Sequence, residues 1–161
     1  MGMIGYYFRA KENDVEKIRE NGTEDYLFQF VSTLDEECKL DIDKTWHMLH
    51  FIFNGTSWEN HEGVFKSCVL GEDIIVQEEF PVSKISPDEV KTISKALQPI
   101  DENTLKERFD IEELLANDIY PVMDGEDEEE LFDYVSGYFK DWKNFFQKAA
   151  LENQAVVFYL S

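Results

Sequence analysis

The strongest constraint on the fold lies at the end of the chain. Residues 155–160 read AVVFYL, an unbroken apolar run that stops one residue before the last. A run this short, rich in β-branched and aromatic side chains, is a buried strand rather than a helix. Residues 3–9, MIGYYFR, have the same character at the opposite end and read as an interior strand. Both ends of the chain are therefore expected to return to one sheet, with the middle of the chain supplying the layers that cover it.

That middle is mostly helical in pattern. In residues 12–20, Val15 and Ile18 stand three apart among charges, and Asn21-Gly22 closes the helix. Residues 26–31, YLFQFV, are short and without clear period, so strand and helix fit equally. Residues 40–55 read LDIDKTWHMLHFIFNG. Trp46, Leu49, His50 and Phe53 recur at three and four, Met48, Phe51 and Ile52 widen the apolar surface, and Gly55 is the stop. This predicts a central core helix over residues 44–54, with Asp41 or Asp43 capping its start. Residues 64–70 read as a short helix ended by Gly71, and 73–79 as a strand or irregular edge. A strand at 82–85 feeds a helix that runs to Leu97. Ser86 is its N-cap, Pro87 its first residue, and Glu89 completes a capping box. Two short helices are expected at 103–109 and 111–117, the second capped by Asp110. Pro121 biases Tyr120 toward an extended conformation. The longest periodic segment is 126–153, where Gly137 could bend or divide the helix.

The predicted class is α+β: a single helix-rich domain over residues 1–161, around a small sheet that includes the N- and C-terminal strands. A chain of 161 residues with 43% hydrophobic and 14% aromatic content has the material for one core. No run approaches the roughly 18 apolar residues of a membrane span, so no membrane association is expected. The 35 acidic residues against 15 basic ones give a net charge of −20. Binding to nucleic-acid backbones runs on Lys and Arg and is excluded on that balance. The start of the chain has no basic-then-apolar leader, and Tyr6 stands where an acylation signal needs Ser or Thr. Cys38 and Cys68 are too few for a disulfide scaffold and read as buried or half-buried thiols. The Asn-Gly-Thr triplets at 21–23 and 54–56 read as turns. The expected compartment is the cytoplasm.

No phosphate-binding glycine loop, nucleophile elbow or EF-hand pattern is present. His47 and His50 lie three apart, as metal ligands often do, but lack the base and spacing of a metalloprotease helix. A third ligand would have to come from His61, Cys38, Cys68 or a carboxylate, with no spacing to choose among them. The bland alternative is one histidine in the core, with His50 the more buried, and the other at the surface. No metal and no cofactor are expected. Asp41, Asp43, Trp46, His47 and His50 concentrate polar and aromatic groups at one helix start and form the candidate pocket. The most biased segment is Asp124, Glu126, Asp127, Glu128, Glu129 and Glu130, within a region 101–140 that holds 14 Asp and Glu against 3 Lys and Arg. It reads as a solvated helix start, or as an anionic face that steers a basic protein partner.

Four stretches taken together resemble one family: the start MGMIGYYFR, the central LDIDKTWHMLHFIFNG, the PVSKISPDEV junction and the end AVVFYLS. These are similar to the YfbM-like bacterial proteins, a domain of unknown function, and IYP at 119–121 also fits. The resemblance covers the chain in order. It implies a bacterial, cytoplasmic, single small α/β-type domain without an assigned reaction, and it supplies no catalytic residue. Its most distinctive segment is 40–55, with Asp41, Asp43, Trp46, His47 and His50 in place; the acidity at 124–130 is peculiar to this chain. The leading expectation is a non-enzymatic, protein-interacting domain with an acidic surface, in one form an immunity- or inhibitor-like protein. The competing expectation is a small-ligand binder or enzyme with a pocket near the start of the 44–54 helix.

Overall fold

The computed structural model describes residues 2–59 and 62–161. In chain order the elements are β1 (Gly5–Ala10), α1 (Glu12–Asn21), α2 (Glu24–Ser32), β2 (Lys39–Asp41), α3 (Trp46–Asn54), β3 (Asp73–Val76) and β4 (Val82–Ile85). They continue as α4 (Pro87–Leu97), α5 (Glu102–Arg108), α6 (Ile111–Ala116), α7 (Glu128–Leu151) and β5 (Ala155–Leu160). Among the described residues the strands form one sheet in the order β2-β1-β5-β4-β3, every pairing antiparallel. The C-terminal strand is central. It pairs along its whole length with β1, from Gly5↔Leu160 to Ala10↔Ala155, and on its other edge with β4.

Alternation along these strands feeds two cores. Tyr7, Ile85, Val156 and Phe158 face a large core with Trp46, Leu49, Ile93, Leu97, Trp142 and Phe146 from α3, α4 and α7. Phe8, Ala10, Val82, Val157 and Tyr159 face a smaller one closed by Val15 and Ile18 of α1 and Leu27 of α2. A sheet covered on both faces explains why β5 reads as a continuous apolar run and not as an alternating one. Lys84 enters the α1 side at 7% exposure, and its Nζ is held by Glu16 at 2.7 Å and Glu12 at 3.2 Å.

Local signals set most boundaries. Gly22 and Gly55 end α1 and α3 in the left-handed region, at φ 70° and 74°, where a side chain is strained. Ser86 Oγ accepts from Glu89 N with Pro87 behind it, and Asp110 Oδ1 accepts from Glu112 N and Glu113 N at the start of α6. Residues 24–32 are helix, so the ambiguous aromatic stretch resolves in favour of α2; Thr23 caps it by accepting from Tyr26 N. Gly137 does not divide α7, which runs unbroken for 24 residues. A single glycine costs a helix about 1 kcal/mol, and burial of Val135, Phe139 and Trp142 on either side outweighs it.

Three local expectations are corrected. Residues 64–70 are turns, not a helix: Lys66 N donates to Gly63 O and Cys68 N to Phe65 O, three-residue closures that never propagate. The Tyr7 hydroxyl takes the Cys68 carbonyl instead. Residues 119–121 turn, with Ile119 N bonded to Leu114 O and Val122 N to Ile119 O, around a cis Tyr120–Pro121 bond. Neither Asp41 nor Asp43 caps α3. Pairing of Lys39 with Phe8 and Asp41 with Tyr6 draws that stretch into β2, so the helix begins only after a one-turn 3-10 segment at Asp43–Thr45. Phe53, on the expected stripe, is half-buried and stacks on Phe139 at 5.7 Å.

Candidate functional site

The residues at the start of α3 make different contacts in the structure. Asp41 is exposed and its Oδ1 accepts from Asp43 N at 2.7 Å. Asp43 adopts φ 49°. The Tyr134 hydroxyl of α7 donates to Asp43 Oδ2 at 2.7 Å and accepts from Lys44 N at 3.2 Å. Burial and the Asp43 carboxylate both push the Tyr134 phenol pKa up. These contacts tie the β2–α3 turn to the long helix.

Both histidines are buried, each at 0% exposure, in place of the one-in, one-out arrangement expected. The cause is residues 55–59, which fold back over α3. Tyr120 N donates to His47 Nδ1 at 2.9 Å, so Nε2 carries the proton and donates to Ser57 O at 2.8 Å. His50 Nε2 donates to Glu59 O at 3.2 Å, and Asn54 Nδ2 lies 3.4 Å from His50 Nδ1. Desolvation lowers the pKa of His47, and it lowers that of His50 to about 4. Each ring nitrogen of His47 is engaged, and its ring packs against both Trp46 at 5.1 Å and Trp58 at 4.3 Å, which also meet each other at 6.2 Å. His61, named above as a third ligand, lies outside the described residues. Among the described residues no three His, Cys, Asp or Glu side chains gather around one point. Trp46 is itself buried, donating from Nε1 to Met3 O at 3.0 Å. The five residues thus build a junction between α3, α7 and the following loop, which Trp58, Tyr120 and Tyr134 join from outside residues 40–55.

The acidic segment has a different geometry. All six of its carboxylates are exposed. Asp127 caps α7 by accepting from Glu130 N at 2.9 Å, and Glu126 accepts from Met123 N. Glu128 and Glu129 line a groove of about 540 Å³ between α5 and the start of α7. Glu102 and Asp133 line it as well, over a floor of Phe109 and Phe132, whose rings meet edge to face at 5.4 Å. Lys106 is the basic residue of the lining, its Nζ 5.7 Å from the Phe132 ring centre. Sequence bias found Glu128 and Glu129. Glu102, Asp133 and the two phenylalanines come together only through the α5–α7 contact, and their spacing carries no signal.

These features define the class: an α+β domain with one antiparallel sheet, both termini in its central pair of strands, and buried helix-start histidines. Among the described residues no helix is long and apolar enough to cross a membrane. The profile of the family described as a domain of unknown function, DUF1877, matches residues 1–159, and the chain belongs to that family. Protein YfbM of Escherichia coli (strain K12) is 30% identical over 125 residues, covering 75% of this chain and 74% of that protein. The crystal structure of YfbM from Escherichia coli, itself titled a protein of unknown function, superposes with a TM-score of 0.75. That match covers 98% of this chain and 99% of that one at 23% identity, and shows the shared fold.

Proposed function

We propose that this chain is a non-enzymatic, cytoplasmic bacterial domain that binds a basic segment of another protein in the α5–α7 groove. The observation that carries the reading is the pairing of an apolar floor, Phe109 and Phe132, with a rim of Glu102, Glu128, Glu129 and Asp133. A basic amphipathic segment satisfies both parts: its apolar side covers the rings, and its Lys or Arg side chains meet the rim. The net charge of −20 adds long-range attraction for such a partner and speeds encounter. An immunity- or inhibitor-like protein is the form of this reading in which the captured partner is thereby blocked. The alternative site at the start of α3 has less support, because both imidazoles there are buried with ring nitrogens already engaged.

Affinity capture from the native host at physiological salt tests the reading, run in parallel with Glu128→Lys/Glu129→Lys. The expected result is a basic protein that binds the wild type, dissociates as salt rises and is lost with the double variant. A partner that binds both proteins equally, or no basic partner at all, would remove the groove from consideration.

A further inference from the structure

The sheet carries a second site, which shares no residue with the α5–α7 groove. Ile74 of β3 pairs with Ser83 of β4, and Ser83 pairs with Phe158 of β5, so these side chains form one cross-strand row. The row continues to Tyr7, where Phe145 and Phe146 of α7 cover it. Toward β3 the same face opens into a pocket of about 290 Å³, walled by the row and by loop residues 58, 70–71 and 79–81.

Its lining is apolar with two exceptions, Ser83 and Glu79. Ser83 is 2% exposed, and its Oγ has no hydrogen-bond partner among the described residues. A hydroxyl in that condition costs about 1–3 kcal/mol, so an apolar residue there would give a more stable fold. Gly71 makes room for it: a Cβ at that position would fall 2.6 Å from both Ser83 Cβ and Oγ. At the mouth stand Trp58 and Phe80, 59% and 42% exposed. Glu79, also exposed, is the one charged residue of the lining.

We propose that this pocket binds a small, flat aromatic molecule bearing a hydrogen-bond-donating nitrogen, an aryl-alkyl amine or an N–H heterocycle. The rings of Trp58, Phe80 and Phe158 supply faces for a planar apolar body. Ser83 Oγ gains the partner it lacks, and Glu79 favours a donor or cation at the mouth while disfavouring an anion. The volume sits at the low end for ligand pockets and suits one or two fused rings.

Tryptamine is the probe, titrated into the ¹⁵N-labelled full chain and followed by amide shifts, with indole-3-acetate as the anion of similar shape. Saturable shifts confined to Gly71, Ser83 and Leu160 and their neighbours are expected, with Kd on the order of 1 mM or tighter. Indole-3-acetate should bind at least about tenfold more weakly. Ser83→Ala should hold or raise the melting temperature while weakening tryptamine by about tenfold, the loss of one hydrogen bond. Phe80→Ala alters an exposed ring that takes no part in the α3 junction and should fold normally while also weakening the probe. The proposal fails if tryptamine gives no saturable shift, if the shifts lie elsewhere, or if the acetate binds as well. It fails equally if Ser83→Ala melts lower, or binds tryptamine like the wild type.

Discussion

Burial of His50 makes stability depend on pH in a way that one substitution isolates. Its ring is fully enclosed, and desolvation brings its pKa down from 6.5 to about 4. Below pH 6.5 the unfolded chain takes up a proton that the folded chain refuses until about pH 4. Folding is therefore penalised progressively as pH falls through that window, and stability rises with pH across it. Linkage gives a loss of about 2 kcal/mol between about pH 7 and pH 5 from this one residue. His47 acts in the same direction, and relief of carboxylate repulsion near the pI of 4.3 opposes both. Comparison with His50→Gln cancels those shared effects, because Gln cannot be protonated. Chemical denaturation of both proteins at several pH values from 7 to 5 supplies the numbers. The stability advantage of the wild type should shrink by about 2 kcal/mol toward pH 5, and the His50 Cε1 proton should titrate near pH 4 by NMR. An advantage that stays constant within about 0.5 kcal/mol would refute the buried, neutral imidazole.

Three further outcomes follow from the same geometry. Deleting the last six residues removes the central strand, with Val156 and Val157 at 0% and Phe158 at 3% exposure. Each buried side chain is worth about 1.5–3 kcal/mol, so no cooperative melt should remain by calorimetry. Moderate NaCl should raise the melting temperature, because it screens the repulsion of a −20 chain over a Debye length of about 8–10 Å; a steady fall would mean that attractive pairs dominate. Tyr134→Phe frees Asp43 Oδ2 and Lys44 N together and should cost about 1–2 kcal/mol in urea denaturation.

The legible part of the fold is the part written in short-range pattern. Residues 155–160 and 3–9 announce strands because composition and length suffice, and Ser86-Pro87 announces a helix start because the cap is built from neighbours. The errors arise where a distant partner overrides the local signal. Asp41 is a plausible cap, but β1 recruits residues 39–41 as a strand. Residues 64–70 have helical spacing, but the Tyr7 hydroxyl takes the Cys68 carbonyl. His47 reads as the surface histidine on α3 alone and becomes buried when Ser57, Trp58 and Tyr120 close over it. At the candidate sites, the bias at 124–130 located two rim carboxylates. The phenylalanine floor beneath them, and Ser83 with Gly71, carried no mark in the chain.

The sequence by itself determined which side chains must leave water and where most helices and strands begin and end, since hydrophobic period and capping act over a few residues. It also determined the charge that limits what the domain can bind. Only the tertiary structure decided that β5 lies between β1 and β4, that both histidines are enclosed, and that Ile74, Ser83 and Phe158 form one row under an open mouth. The physical reason is that apolar burial is non-directional. It states that a residue must be covered, and leaves to packing, register and the satisfaction of backbone hydrogen bonds the choice of what covers it.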